Sequence, residues 1–308
     1  MWFGLFMGAR SGTSGAISNT EVATTSDASA ADGASRLINP TVIEGAKKHF
    51  IINFQPLRFE LEKIQKKYPQ HTYIYFNYLN NASWIGLNER DNFVAASLVK
   101  VPLSMAVYKA VENGKLSLDQ KYILQDFDLD SGFGDLYKVG AGKSYSVGQL
   151  LEIMLEKSDN TAASALQSVL RGIGISDPLT PVYESFGWAL DFGAQANFAE
   201  INVKTLSTMF LALYNAQYLN VEDSEKVLEY LDNSDFNDKI PAGVPESISV
   251  AHKIGVASDA ETFSDCGIVY APNRNYLLCL GSNGGNEDVA TQFMAEISKA
   301  TYQYVINN

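Results

Sequence analysis

Three short runs in this chain carry residue types at spacings suited to acyl transfer. The first is Ser97-Leu98-Val99-Lys100, the only S-x-x-K present. A serine hydroxyl is a weak nucleophile until a base takes its proton. On a helix, positions i and i+3 share a face, so the Lys100 amine can reach the Ser97 hydroxyl. Lysine acts as a base only when its pKa falls. Near 10.4, roughly one lysine in a few thousand is neutral at pH 7. Desolvation and a second cation nearby both raise that fraction. A backbone N–H at a helix N-terminus, here that of Ser97, can stabilise an oxyanion. The second run is Ser158-Asp159-Asn160. A serine hydroxyl can relay a proton to a leaving nitrogen, and an asparagine amide can hold a substrate amide. The third is His252-Lys253-Ile254-Gly255. A lysine projecting from a strand offers a fixed charge to a substrate carboxylate and depresses the pKa of a neighbouring lysine. Gly255 leaves space for close approach of a substrate backbone. Each run taken alone has a plainer explanation: a helix cap followed by a surface lysine, a polar helix terminus, a turn.

The elements that must position these residues can be read from periodicity. Phe54 to Tyr68 carries Leu57, Leu61 and Ile64 at helical spacing. Thr72 to Leu79 is β-branched and aromatic, and Asn80-Asn81 offers a turn into Ala82 to Leu87, which predicts a hairpin. A helix from about Ser97 to Asn113 is stopped by Gly114. Ser146-Val147-Gly148-Gln149 is a capping box opening a helix with Val147, Leu150, Leu151, Met154 and Leu155 on one face. Thr205 to Leu213 begins another apolar helix. Strands return at Ile248 to Ile254, Cys266 to Tyr270 and Tyr276 to Leu280, and a helix from about Asp288 to Val305 follows. Neither end supplies a sheet alone. The simplest arrangement is an α+β fold with one antiparallel sheet built from both ends, about 41–115 and 216–308, and a helical block, about 116–215, inserted between. A cleft between the two parts is the natural place for a site.

Composition narrows the partners. A net charge of −12 argues against nucleic acid and describes a solvated surface. The three histidines are scattered and the two cysteines lack ligand spacing, so no metal site or cofactor is expected. Cys266 and Cys279 are expected as buried free thiols, with one disulfide as the alternative. Trp2 to Met7 is apolar but too short to span a membrane. Ser11 to Ser35 is Ser/Thr/Ala/Gly-rich and cannot bury enough area to fold. Residues 1–40 are therefore expected to form a flexible tether, either the end of a membrane anchor or a disordered leader. A monomer is expected.

In this order the three runs resemble the S-x-x-K, S-D-N and K-T-G signature of the penicillin-recognising serine enzymes, the class A β-lactamases and penicillin-binding proteins. Ser144 to Ala163, Leu179 to Trp188 and Cys266 to Arg274 are also similar to family segments, and the resemblance covers about residues 45–306. It implies a β-lactamase/transpeptidase-like fold, a five-stranded antiparallel sheet flanked by helices plus an all-helical part. It also implies a small-molecule β-lactam or D-Ala-D-Ala-type peptide as substrate, and a location outside the cytoplasm. By the resemblance Ser97 is the acylated serine, Lys100 its base and Ser158 the proton shuttle. Asn160 is then the amide-binding residue and Lys253 the carboxylate anchor. The backbone of Val256, beyond Gly255, supplies a second oxyanion N–H.

Two departures from the family pattern matter. Gly187 to Val203 is short and contains no E-x-x-L-N, the pattern whose glutamate activates the deacylating water in class A enzymes. Its only carboxylates are Asp191 and Glu200, and Glu200 is expected in the first turn of the next helix. Ile254 stands where the family has Thr or Ser, and Thr262 to Val269 contains no arginine to compensate. These departures predict acylation with slow hydrolysis. The alternatives are a D-Ala-D-Ala carboxypeptidase and an acyl-serine sensor or inactive binding module.

Overall fold

Successive residues of a strand face opposite sides, and here both sides of the central sheet are apolar. The computed structural model describes residues 52–188 and 200–308. β1 (His71–Tyr78) directs Tyr73 and Tyr75 into one core and Ile74, Phe76 and Tyr78 into another. β9 (Tyr276–Asn283) repeats the division, with Leu277 and Cys279 against Tyr276, Leu278 and Leu280. A sheet apolar on both faces needs cover on both. α1 (Gln55–Gln65) and α8 (Glu287–Asn307) bury one face through Leu57, Leu61, Ile64, Phe293, Met294 and Ile297. The helical block buries the other.

The sheet has five antiparallel strands in the order β2-β1-β9-β8-β7, where β2 is Ser83–Leu87, β7 Val250–Ala257 and β8 Thr262–Val269. Strands from the two ends of the chain meet where β1 pairs with β9, from His71↔Asn283 to Tyr78↔Tyr276. The hairpin, the two-ended sheet and the class of fold are those predicted. β7 is an edge strand, so the run holding Lys253 has one open side.

The covering helices run from the first motif onward. A 3₁₀ turn, Ala96–Val99, leads into α2 (Lys100–Glu112), buried along nearly all its length, and Gly114 at φ 68° ends it. A helix apolar on every side belongs inside a core. β4 (Lys121–Ile123) pairs with β5 (Ser144–Ser146). α3 (Val147–Glu156) opens on the predicted capping box, with Gln149 N donating to Ser146 Oγ at 3.1 Å and Ser146 N to Gln149 Oε1 at 2.9 Å. α4 (Asn160–Gly172), α5 (Thr180–Ser185) and α6 (Val203–Tyr214) follow.

Three expectations need correction. α7 (Val221–Asp232) is not among the elements that patterning predicts, because Val227, Leu228 and Leu231 are set among charged neighbours. It is capped by Asn220 and packs those side chains into the same core as α3 and α6. Helix therefore continues well past residue 215. Glu200 is not in a helical first turn: it lies exposed in β6 (Glu200–Ile201), paired with Val94 of β3 (Phe93–Val94). α6 instead starts behind Asn202, whose side chain accepts from Thr205 N at 2.8 Å. Finally, Cys266 and Cys279 are not free thiols but a disulfide. They are register partners on β8 and β9, which puts their side chains adjacent on one face. The predicted tether, and Asp191 with most of the segment lacking E-x-x-L-N, lie outside the described residues. Among the described residues no helix is long and apolar enough to cross a membrane.

Candidate active site

The 3₁₀ turn matters because it eclipses residues three apart. It brings Ser97 and Lys100 onto one line, and Lys100 Nζ donates to Ser97 Oγ at 2.9 Å. Ser97 is half-buried, whereas Lys100 is 4% exposed.

The Ser158–Asn160 run joins α3 to α4. Ser158 adopts φ 53°, an uncommon left-handed conformation for a non-glycine residue, and its side chain is buried. Asp159 caps α4, accepting from Ala162 N at 2.9 Å, and its other oxygen accepts from Leu136 N at 2.8 Å. A residue that reads as a polar helix terminus thus does that job and also ties the Asp130–Leu136 loop to the site. With this backbone fixed, both neighbours of Asp159 reach Lys100. Its Nζ donates to Ser158 O, to Ser158 Oγ at 3.3 Å and to Asn160 Oδ1 at 2.7 Å.

Burial is the main cause pulling the Lys100 pKa down to about 8, against the opposing charges of Asp159 and Asp130. About one molecule in ten then holds a neutral Lys100 at pH 7. That is a large gain over a solvated lysine.

Lys253 is fully buried on β7, and its Nζ has no hydrogen-bond partner. Its pKa lies well below the usual ammonium range, first through burial and then through the charge of Lys100. Nζ lies 5.6 Å from the ring centre of Phe236, which in turn is 5.7 Å from the ring of Phe133. Gly255 is required by close packing. A Cβ there would lie 2.5 Å from Ser264 Oγ, 2.9 Å from Ala95 O and 3.1 Å from Leu98 Cγ. The strand is thereby pressed against the turn that bears Ser97. The Val256 side chain packs toward the opposite core, so what this residue offers the cleft is backbone. Ile254 is buried and brings no hydroxyl.

The structure therefore gathers Ser97, Lys100, Ser158 and Asn160 into one hydrogen-bonded cluster, with Lys253 and Gly255 on the adjoining strand. Sequence reasoning missed Asp130, whose Oδ1 accepts from Asn160 Nδ2 at 3.2 Å, and the ring pair Phe133 and Phe236. The glycine-flanked Gly132-Phe133-Gly134 was a usable signal for an aromatic on a loop. Phe236 had none. Among the described residues no group of side chains could hold a metal ion.

Comparison with known proteins bears on the fold and the family. The chain is 20% identical over 261 residues to beta-lactamase VEB-1 of Pseudomonas aeruginosa, covering 74% of this chain and 83% of that one. It is 23% identical over 240 residues to extended-spectrum beta-lactamase PER-1 of the same organism, covering 71% and 77%. A beta-lactamase from Sphaerobacter thermophilus superposes with a TM-score of 0.74 at 20% identity, over 84% of this chain and 99% of that one. PBP-A does so with 0.73 at 20% identity, over 82% and 97%. These superpositions establish a β-lactamase/transpeptidase-like fold. The model of the beta-lactamase enzyme family matches residues 56–305, a span that takes in the whole sheet and every site residue above, and the chain belongs to that family.

Proposed function

We propose that this serine hydrolase is acylated at Ser97 by β-lactams or related acyl donors and releases the acyl group slowly. The observation that carries the reading is the Lys100 amine, buried, lowered to about 8 and hydrogen-bonded to Ser97 Oγ. Neutral Lys100 takes the hydroxyl proton as Ser97 Oγ attacks the carbonyl carbon. The backbone N–H groups of Ser97 and Val256 hold the oxyanion. Ser158 Oγ, 3.3 Å from Lys100 Nζ, passes the proton to the leaving nitrogen as the C–N bond breaks. Asn160 holds the amide of the donor and Lys253 attracts its carboxylate.

The names of VEB-1 and PER-1 support a β-lactam as donor. So does a structure of a PBP-A mutant described as an acyl-enzyme complex with penicillin G. Slow release rests on the sequence between Gly187 and Val203, which lacks E-x-x-L-N, and on Glu200 lying exposed on β6. A missing general base costs on the order of 10²–10⁴ in rate. The same reading places the protein outside the cytoplasm, as a monomer carried on the tether of residues 1–40. A disulfide, which oxidising compartments favour, supports that location.

Incubation with a fluorescent penicillin, followed by intact mass over time, tests the reading, with Ser97→Ala as control. A wild-type chain that gains no adduct would sink it. A long-lived adduct is the expected result, and a hydrolysis assay on a D-Ala-D-Ala peptide then separates a peptidase from an acyl-serine sensor.

A further inference from the structure

Among the described residues, Lys253 Nζ is the one buried amine without a hydrogen-bond partner. Burial and the charge of Lys100 disfavour its protonated form, and a carboxylate beside it would favour that form. Yet Lys253 is 0% exposed, and the ring of Phe236 lies over its Nζ. Phe236 itself is only partly buried.

The segment that bears Phe236 joins α7 to β7 and passes across the edge of the sheet. Four residues beyond Phe236 it is pinned on the opposite face. There Ile240 N donates to Asp265 Oδ2 at 3.0 Å, and Ser298 Oγ donates to Ile240 O at 2.7 Å. Asp265 is itself fixed by His252 Nδ1 at 2.8 Å, and His252 immediately precedes Lys253 on β7. Among the described residues the aromatic contact of Phe236 is with Phe133, ring centres 5.7 Å apart. Phe133 belongs to the loop whose carbonyl at that residue accepts from Asn160 N at 3.0 Å. The strap is thus fixed at Ile240, while the Phe236 ring is only partly buried.

We propose that Phe236 is a specificity-determining residue, an aromatic cover that a donor's carboxylate must displace to reach Lys253, and that it lowers this enzyme's preference for carboxylate-bearing acyl donors. The cover has unusual weight here. Ile254 in β7 brings no hydroxyl, and β8 contains no arginine to share the anion. The proposal rests on acylation at Ser97. Under the ring the buried amine holds its proton weakly, and a carboxylate that displaces the ring restores the charge that attracts it.

The test compares acylation of Ser97 by benzylpenicillin and by its methyl ester, followed by intact mass in wild type, Phe236→Ala and Phe236→Leu. Phe236→Ala is expected to raise the acid-to-ester rate ratio about tenfold, equivalent to roughly 1.4 kcal/mol less cost in uncovering the amine. Phe236→Leu, which keeps apolar bulk in the strap, should move the ratio the same way by less. It serves as the decisive variant if the alanine chain does not fold. Adding Lys253→Met should cancel the gain. An unchanged ratio in the folded variants, with Ser97 labelled by both donors, overturns the cover alone. Failure of both donors to label Ser97 in any chain overturns the acylation reading, and the cover with it.

Discussion

Lys100 is where the chemistry of this site is set. Four of its contacts are to oxygen atoms of Ser97, Ser158 and Asn160, which hold the amine in line with the nucleophile. Its burial keeps the amine near neutrality. On the proposal that neutral Lys100 is the base, acylation should rise about tenfold per pH unit below about 8 and level off above it. Stopped-flow acylation across pH 5 to about 9.5 checks this, and a flat profile would remove Lys100 from the role of base. Lys100→Met should slow acylation by at least about 10²-fold. Asp130 acts one bond further out, through the Asn160 amide. Asp130→Ala leaves that amide held only through its Oδ1 by Lys100 and should weaken donor binding more than it changes the limiting acylation rate. Concentration dependence of the acylation rate separates the two effects.

At the scale of elements, the contact of β7 with the 3₁₀ turn decides whether the nucleophile and the strand share a cleft. Gly255→Ala places a methyl against Ala95 O and Leu98, neither of which can retreat cheaply. Overpacking of this kind costs roughly 1–3 kcal/mol, and parting strand from turn should also slow acylation. A variant with wild-type melting and wild-type acylation would show that the contact is dispensable. The capping box is a control of a different kind. Ser146→Ala removes one half of it, far from Ser97 in sequence, and should cost about 1 kcal/mol in urea unfolding with acylation intact. Most elements were legible because their apolar residues recur at 3.6 or 2 positions. α7 was not, since between Val221 and Val227 it runs Glu222-Asp223-Ser224-Glu225-Lys226 with no apolar residue, and tertiary burial selects Val227, Leu228 and Leu231. Strand ends were also read short. β8 begins at Thr262 rather than Cys266 because Phe263 and Ser264 are held by partners on β7 and β9, not by local pattern.

The whole molecule is tied by its ends. β1 pairs with β9, and α8 supplies Ala290, Phe293, Met294, Ile297 and Val305 to the core on one face of the sheet. A chain ending at Gly285 should therefore show no cooperative thermal transition. Cooperative melting of that chain would mean the sheet stands without its cover. The sequence by itself determined the class of fold and the two-ended sheet, and it singled out Ser97, Lys100, Ser158, Asn160 and Lys253 as candidates, because periodicity and short motifs are local properties of a chain. Only the tertiary structure decided that Asp130 steadies Asn160, that Cys266 meets Cys279 and that Phe236 covers Lys253. Those pairs lie from 13 to 30 residues apart, and no local rule relates them. Register between strands and the path of a strap across a sheet edge bring them together, and burial then gives their contacts their strength.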